Sequence, residues 1–217
     1  FPWRTRAPLW KAIFRVITAP VTSPIFFHIY VADVFTSMVK VFQDIMWTLC
    51  FVISGDFLLP ENLDENDAPH PWQHAFWYKN VVIPLICLFP LWIRFNQCLR
   101  RYMDTHKRWP NLANAFKYAL SQTVTLFGAF HPLYLLHVHK GNRPDQPSNE
   151  NGINLFQTFW MGLFITSSLY SFLWDVYMDW GLGRPRFAFL GPRLMFPRQL
   201  HYYGVMVIDL VLRSMWV

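Results

Sequence analysis

The chain has 217 residues, of which 53% are hydrophobic, 19% aromatic and only 15% charged. A soluble domain carries about 25% charged residues, so too few are present to coat a water-facing exterior. The net charge of +6 does not indicate nucleic acid, because the basic residues are confined to short segments between apolar runs and build no exposed basic helix on a soluble core.

Residues 3–20 read as a basic amphipathic helix, or a short pair of turns, on a cytosolic membrane surface. Trp10, Ile13, Phe14 and Ile17 share one face and Lys11 and Arg15 lie opposite. The N-terminus, Phe1-Pro2-Trp3-Arg4, has no Met and no signal-peptide pattern, which reads as a fragment of a longer protein. Five segments then follow that can cross a hydrocarbon core of about 30 Å, which needs about 20 helical residues. They are 27–54, 80–99, 113–138, 153–178 and 201–217, and Pro84 and Pro90 are expected to kink the second.

Lys and Arg set the orientation. Arg4, Arg6, Lys11 and Arg15 precede the first span. Arg94, Arg100, Arg101, Lys107 and Arg108 are counted between the second and third, and Arg184, Arg186, Arg193 and Arg198 between the fourth and fifth. These connections are expected to be cytosolic. The acidic stretch 55–79 and the balanced stretch 139–152 are expected on the other side.

Ionisable residues inside spans are the informative ones, since a charge at the centre of an isolated helix costs at least about 2.5 kcal/mol on insertion scales. Asp33, Lys40 and Asp44 lie in the first span, Lys117 near the start of the third, Asp175 and Asp179 near the end of the fourth, and Asp209 and Arg213 in the fifth. Helical rise places Arg213 roughly 18 Å from His201, deep in the membrane, with Asp33, Lys117, Asp175 and Asp179 near the cytosolic ends of their helices. The pattern suggests a water-filled vestibule narrowing towards one deep arginine. Lys40 and Asp44, and Asp209 taken alone, read more simply as pairing between helix side chains. Arg213 reads the other way, because a guanidinium cannot escape by deprotonation and its fork fits phosphate oxygens.

Soluble-enzyme templates do not fit: there is no Walker loop, glycine-rich dinucleotide turn, HExxH or GxSxG. Cys50, Cys87 and Cys98 have no metal-ligand spacing, and His137 and His139 are the only close histidine pair. No enzyme activity, cofactor or metal is expected.

Three ordered motifs then carry a resemblance. They are Phe95-Asn96-Gln97-Cys98-Leu99-Arg100-Arg101-Tyr102-Met103-Asp104-Thr105, Asn114-Ala115-Phe116-Lys117-Tyr118, and Trp174-Asp175-Val176-Tyr177-Met178-Asp179-Trp180-Gly181-Leu182. From about Phe14 onward the chain resembles the EXS-domain family, which includes phosphate exporters and Golgi-retention proteins. The resemblance implies an all-α polytopic transmembrane helix bundle, about five spans here, with the family's final helix missing. Residues 1–26 would be the interfacial basic segment and 27–217 a C-terminally truncated EXS domain.

The resemblance also implies phosphate export through a channel-like path. Asp33, Arg108, Lys117, Tyr118, Asp175, Asp179 and Arg213 would be pathway and binding residues, and Trp216 the gate. The implied partners are inorganic phosphate, the bilayer, an SPX domain in the full-length protein that binds inositol polyphosphates, and a second copy of the chain. The protein would reside in the plasma membrane or the Golgi. The alternatives are a Golgi retention or sorting protein with lumenal phosphate recycling, and a proton or cation carrier.

Overall fold

Long apolar runs in lipid leave the backbone to satisfy its own hydrogen bonds, which favours helices. A computed structural model describes residues 3–55, 58, 72, 75–141, 150–192 and 194–215, and the side chains among these outside 130–154 and 156. Most of the two expected non-cytosolic stretches, the side chains of His137 and His139, Arg193 and Trp216 lie outside the described residues. Within them helices stand at all five expected spans, and the one β interaction is an isolated bridge between Arg184 and Leu190. The chain divides into two compact units, Phe1–Asn149 and Glu150–Val217.

The first unit opens with α1 (Trp3–Ile17). Its buried stripe is Ala12 and Val16, continued by Ala19, and these small residues let it lie close against α2. Of the expected apolar face, Ile13 packs against this stripe, and Trp10, Phe14 and Ile17 are exposed.

The expected first span is not one helix. It consists of α2 (Phe26–Ser37) and α3 (Val39–Ser54), bent by 65° at Met38. Local chemistry accounts for the break. Thr36 Oγ1 donates to the Asp33 carbonyl at 2.7 Å and Ser37 Oγ to the same carbonyl at 3.5 Å, and back-bonding of this kind in a last turn bends a helix. Met38, at φ −95° and ψ 13°, has left helical geometry.

The second span begins with a π turn, Tyr78–Val82, followed by α4 (Ile83–Thr105). Pro84 lacks an amide proton to donate backward, and the wide turn precedes the point where that bond is lost. On α4, Pro90, Ile93, Arg94, Gln97 and Cys98 are buried at helical spacing. This face is the unit's centre. Ile93 packs with Val16, Ala19, Val31 and Ala32, and Cys98 packs with Ala115 and Tyr118 of α5 (Arg108–Gly141).

A tight corner joins α4 to α5. His106 takes a left-handed conformation (φ 53°) and its N–H closes on the Tyr102 carbonyl at 2.7 Å. Thr105 Oγ1 then accepts from Asn111 Nδ2 at 3.0 Å, which ties the first turn of α5 to the end of α4. Trp109 is extended (φ −95°, ψ 133°), the usual preference of a residue before proline.

Among the described residues, Tyr78–Thr105 alone is long and apolar enough to cross a bilayer, and α2 with α3 qualifies as a bent pair.

The second unit consists of α6 (Glu150–Trp174), a π turn at Asp175–Asp179, an irregular segment, and α7 (Leu200–Ser214). In the π turn the Trp180 N–H reaches the Asp175 carbonyl at 2.8 Å, five residues back. Gly183 follows at φ +78°, with its N–H on the Phe189 carbonyl at 2.7 Å. A Cβ at Gly183 would stand 2.5 Å from Tyr177 Cε1, whereas Gly55, at φ +76°, faces open space.

Both Gly183→Ala and Gly55→Ala therefore incur the left-handed backbone penalty of about 1–2 kcal/mol, and Gly183→Ala must also displace an aromatic ring. Thermal unfolding of the full-length protein in detergent should rank Gly183→Ala as the more destabilising of the two. The reverse order would contradict this packing.

Candidate functional site

A charge inside a helical bundle persists only if its neighbours compensate it. The first unit shows how this is done on α4. Arg94 Nε stands 2.7 Å from Asp33 Oδ1, with the arginine side chain 6% exposed and the aspartate 49%. The same Nε lies 3.0 Å from Tyr118 Oη, and Nη1 donates to Gln97 Oε1 at 2.9 Å. Gln97 Nε2 in turn donates to the His28 carbonyl at 3.2 Å, and Tyr118 Oη to Asp33 Oδ1 at 3.3 Å. A closed polar network thus links α2, α4 and α5.

The Tyr118 ring carries two cations. The Arg94 guanidinium carbon is 5.0 Å from its centroid and Lys117 Nζ is 5.1 Å away, both inside the range of cation–π attraction. Both cations thus stand against the ring whose hydroxyl donates to Asp33.

The second unit has its own cluster. Arg213 Nη2 pairs with Asp175 Oδ2, and Nε bonds Asp209 Oδ2 at 3.0 Å. Asp209 lies one turn earlier on α7, and Asp175 opens the π turn after α6. The guanidinium remains 30% exposed, so the triad is not sealed from its surroundings. Two carboxylates thus flank one guanidinium.

The Arg213–Asp175 pair corrects an expectation. The sequence reading places Asp175 near the cytosolic end of its span and Arg213 far from that end, yet the two side chains touch. The stretch 180–199 between the helices is long enough for α7 to begin well away from the level of Asp175, and the twelve residue-to-residue steps from His201 to Arg213 then rise back to it over about 18 Å.

Of the expected site residues, the structure brings Asp33, Lys117 and Tyr118 together in the first unit, and Asp175 and Arg213 together in the second. Arg108 is exposed at the start of α5, nine residues before Lys117 and beyond the extended Trp109. Asp179 is exposed at the far end of the π turn. Trp216 lies outside the described residues. Lys40 and Asp44 pair at 2.7 Å on exposed faces, and Asp209 pairs within α7, as helix neighbours do.

Arg94 is the residue the sequence reading misplaces. Counted with the basic connection after the second span, it is instead buried in the middle of α4. Gln97, which fixes its second nitrogen, stands in the first of the three motifs but is given no role there. No group of three or more His, Cys, Asp or Glu side chains among the described residues is arranged to hold a metal ion.

Comparison with known proteins matches residues 1–217 to the EXS family. Solute carrier family 53 member 1 of Homo sapiens is 31% identical over 225 residues, covering all of this chain and 30% of that protein. The Xenotropic and polytropic retrovirus receptor 1 homolog of Xenopus laevis is 31% identical over 219 residues, with the same coverage. The SPX and EXS domain-containing protein 1 of Dictyostelium discoideum is 31% identical over 225 residues and is covered over 22% of its length. The chain thus spans under a third of these relatives. Apolar helices that keep ionised side chains in compensated clusters, and a match running from the first residue to the last, lead to one assignment: the chain is an all-α integral membrane domain and belongs to the EXS family.

Proposed function

We propose that this domain contributes to moving inorganic phosphate across a bilayer, without chemical conversion, along a path lined by its lysine, arginine and aspartate side chains. The observation that carries the reading is Arg213, which is ionised, set between two carboxylates and still 30% exposed. A guanidinium sealed in a dry pair has no donor to offer, whereas a half-open one can exchange a carboxylate for an anion's oxygens. The names of the carrier relatives support transport as the class of activity.

In this reading Lys117 and Arg213 donate to phosphate in turn, and Asp33, Asp175 and Asp209 keep the anion from binding too tightly to leave. Arg108 would attract phosphate at the cytosolic mouth, Tyr118 would hold Arg94 and Asp33 in register, Asp179 would tune the potential beyond the π turn, and Trp216 would gate the exit. The SPX and EXS domain-containing relative supports an SPX domain in the full-length protein, which would sense inositol polyphosphates. A homodimer and residence in the plasma membrane or Golgi complete the proposal.

A second reading has its own observation. Arg213 stands between two carboxylates, Asp175 and Asp209, and intramembrane carboxylates are the groups that proton relays and cation paths use. Purified full-length protein in liposomes separates the two. Phosphate release that persists when sodium and potassium are exchanged for choline supports the phosphate path, and cation flux indifferent to phosphate overturns it.

A further inference from the structure

Beside the Arg94 network, on the side facing the start of α5, lies a partly open cavity of about 60 Å³ lined by Arg94, Gln97, Arg101, Asn111, Asn114 and Cys98, with Ile29 and Pro110 at its border. A water needs about 10–15 Å³ of such volume, so roughly four to six water-sized atoms fit, which is room for the four oxygens of a tetrahedral oxyanion. Arg94, Gln97 and Asn111 are buried, so the polar wall is part of the packed interior.

The lining has a definite sign. Two guanidinium groups border the cavity and no carboxylate does. Arg94 commits Nε to Asp33 and Tyr118 and Nη1 to Gln97, leaving Nη2 uncommitted among the described residues. Gln97 Nε2 gives one proton to the His28 carbonyl and retains another. Donors of this kind attract an anion.

One atom breaks the pattern and sharpens it. Asn114 Oδ1 is buried and, among the described residues, accepts no hydrogen bond. A buried acceptor left unpaired costs about 1–3 kcal/mol, so a donor in the cavity would relieve it. An anion that fits both features must present acceptor oxygens to the arginines and one O–H to Asn114. Inorganic phosphate keeps at least one proton near neutral pH, while sulfate keeps none.

We propose that this cavity is a hydrogen-phosphate subsite, in which Arg94 and Arg101 bind the anion's charged oxygens and Asn114 Oδ1 accepts its O–H. The subsite admits phosphate and discriminates against sulfate before the anion reaches Lys117. This rests on the phosphate-transport reading and adds a specificity determinant to it.

The test measures phosphate efflux from liposomes carrying the full-length protein, with sulfate as competitor. In the unaltered protein sulfate should compete weakly. Asn114→Leu, close in size but without an acceptor, should raise the half-saturating phosphate concentration about tenfold and let sulfate compete on nearly equal terms. Arg101→Gln, at an exposed position where folding is insensitive, should weaken phosphate and sulfate alike and keep their ratio. If Asn114→Leu does not yield folded protein, unchanged half-saturation in Arg101→Gln by itself overturns the subsite.

Normal phosphate flux with unchanged half-saturation and unchanged sulfate competition in both variants overturns the subsite and leaves the transport reading standing. Absence of phosphate flux in the unaltered protein overturns both.

Discussion

Arg213→Ala in the full-length protein should cut phosphate efflux by about tenfold to more than a hundredfold while membrane insertion and expression persist. The guanidinium makes two charge-assisted contacts, to Asp175 and Asp209. Each such bond is worth about 1.5–3 kcal/mol, and an anion that borrows either donor depends on energy of that size. Losing it lowers flux by about tenfold to more than a hundredfold. The two carboxylates left behind would add repulsion exactly where an anion must pass, pushing the loss towards the upper end.

Arg213→Lys keeps the charge but replaces the planar fork with a point charge, and should fall between the two. Phosphate release, read beside surface labelling of the inserted protein, checks the series. Efflux unaltered in the alanine variant removes Arg213 from the path.

The second large effect is on stability and runs against the usual expectation that the buried partner of an ion pair matters more. Asp33→Asn removes a half-exposed carboxylate and strands the Arg94 guanidinium, whose side chain is 6% exposed. Breaking a buried pair so that a buried charge is left uncompensated costs about 3–5 kcal/mol. Arg94→Met instead leaves Asp33, 49% exposed, which its surroundings can solvate, and replaces the guanidinium by an apolar chain of similar length.

Arg94→Met should therefore cost less, about 1–3 kcal/mol, mostly from the unpaired Gln97 Oε1, since Tyr118 Oη keeps its bond to Asp33. Thermal unfolding in detergent should rank Asp33→Asn as the more damaging variant. Equal or reversed melting shifts would mean that Asp33 does not compensate Arg94 in the folded state.

Much of this architecture is legible in the residue pattern because lipid imposes simple rules. Five apolar stretches read as helices, and helices stand there. The pairing of Lys40 with Asp44 and of Asp209 with Arg213 follows from four-residue spacing alone. The bend at Met38 is less visible, since hydropathy averaged over 27–54 is continuous. Only the hydroxyls of Thr36 and Ser37 betray it, and they act through one backbone carbonyl.

Arg94 is instructive for a different reason. The span at 80–99 encloses it, and the rule that singles out Arg213 applies to it equally, but grouping it with Arg100 and Arg101 by sequence proximity conceals its burial. The long-range partners of the site are the least legible part. Nothing in local spacing connects Asp33 with Tyr118, 85 positions apart, or Asp175 with Arg213, 38 apart. Those meetings are decided by how helices pack.

The wide turn at Asp175–Asp179 holds one residue more than an α-helical turn would need. It acts as a phase shifter between α6 and the segment that follows. Excising a single residue from it would let the helix run on at normal pitch and rotate everything downstream by about 100° relative to α6. The azimuth at which Asp175 addresses Arg213 is thus set by an insertion in the chain's count.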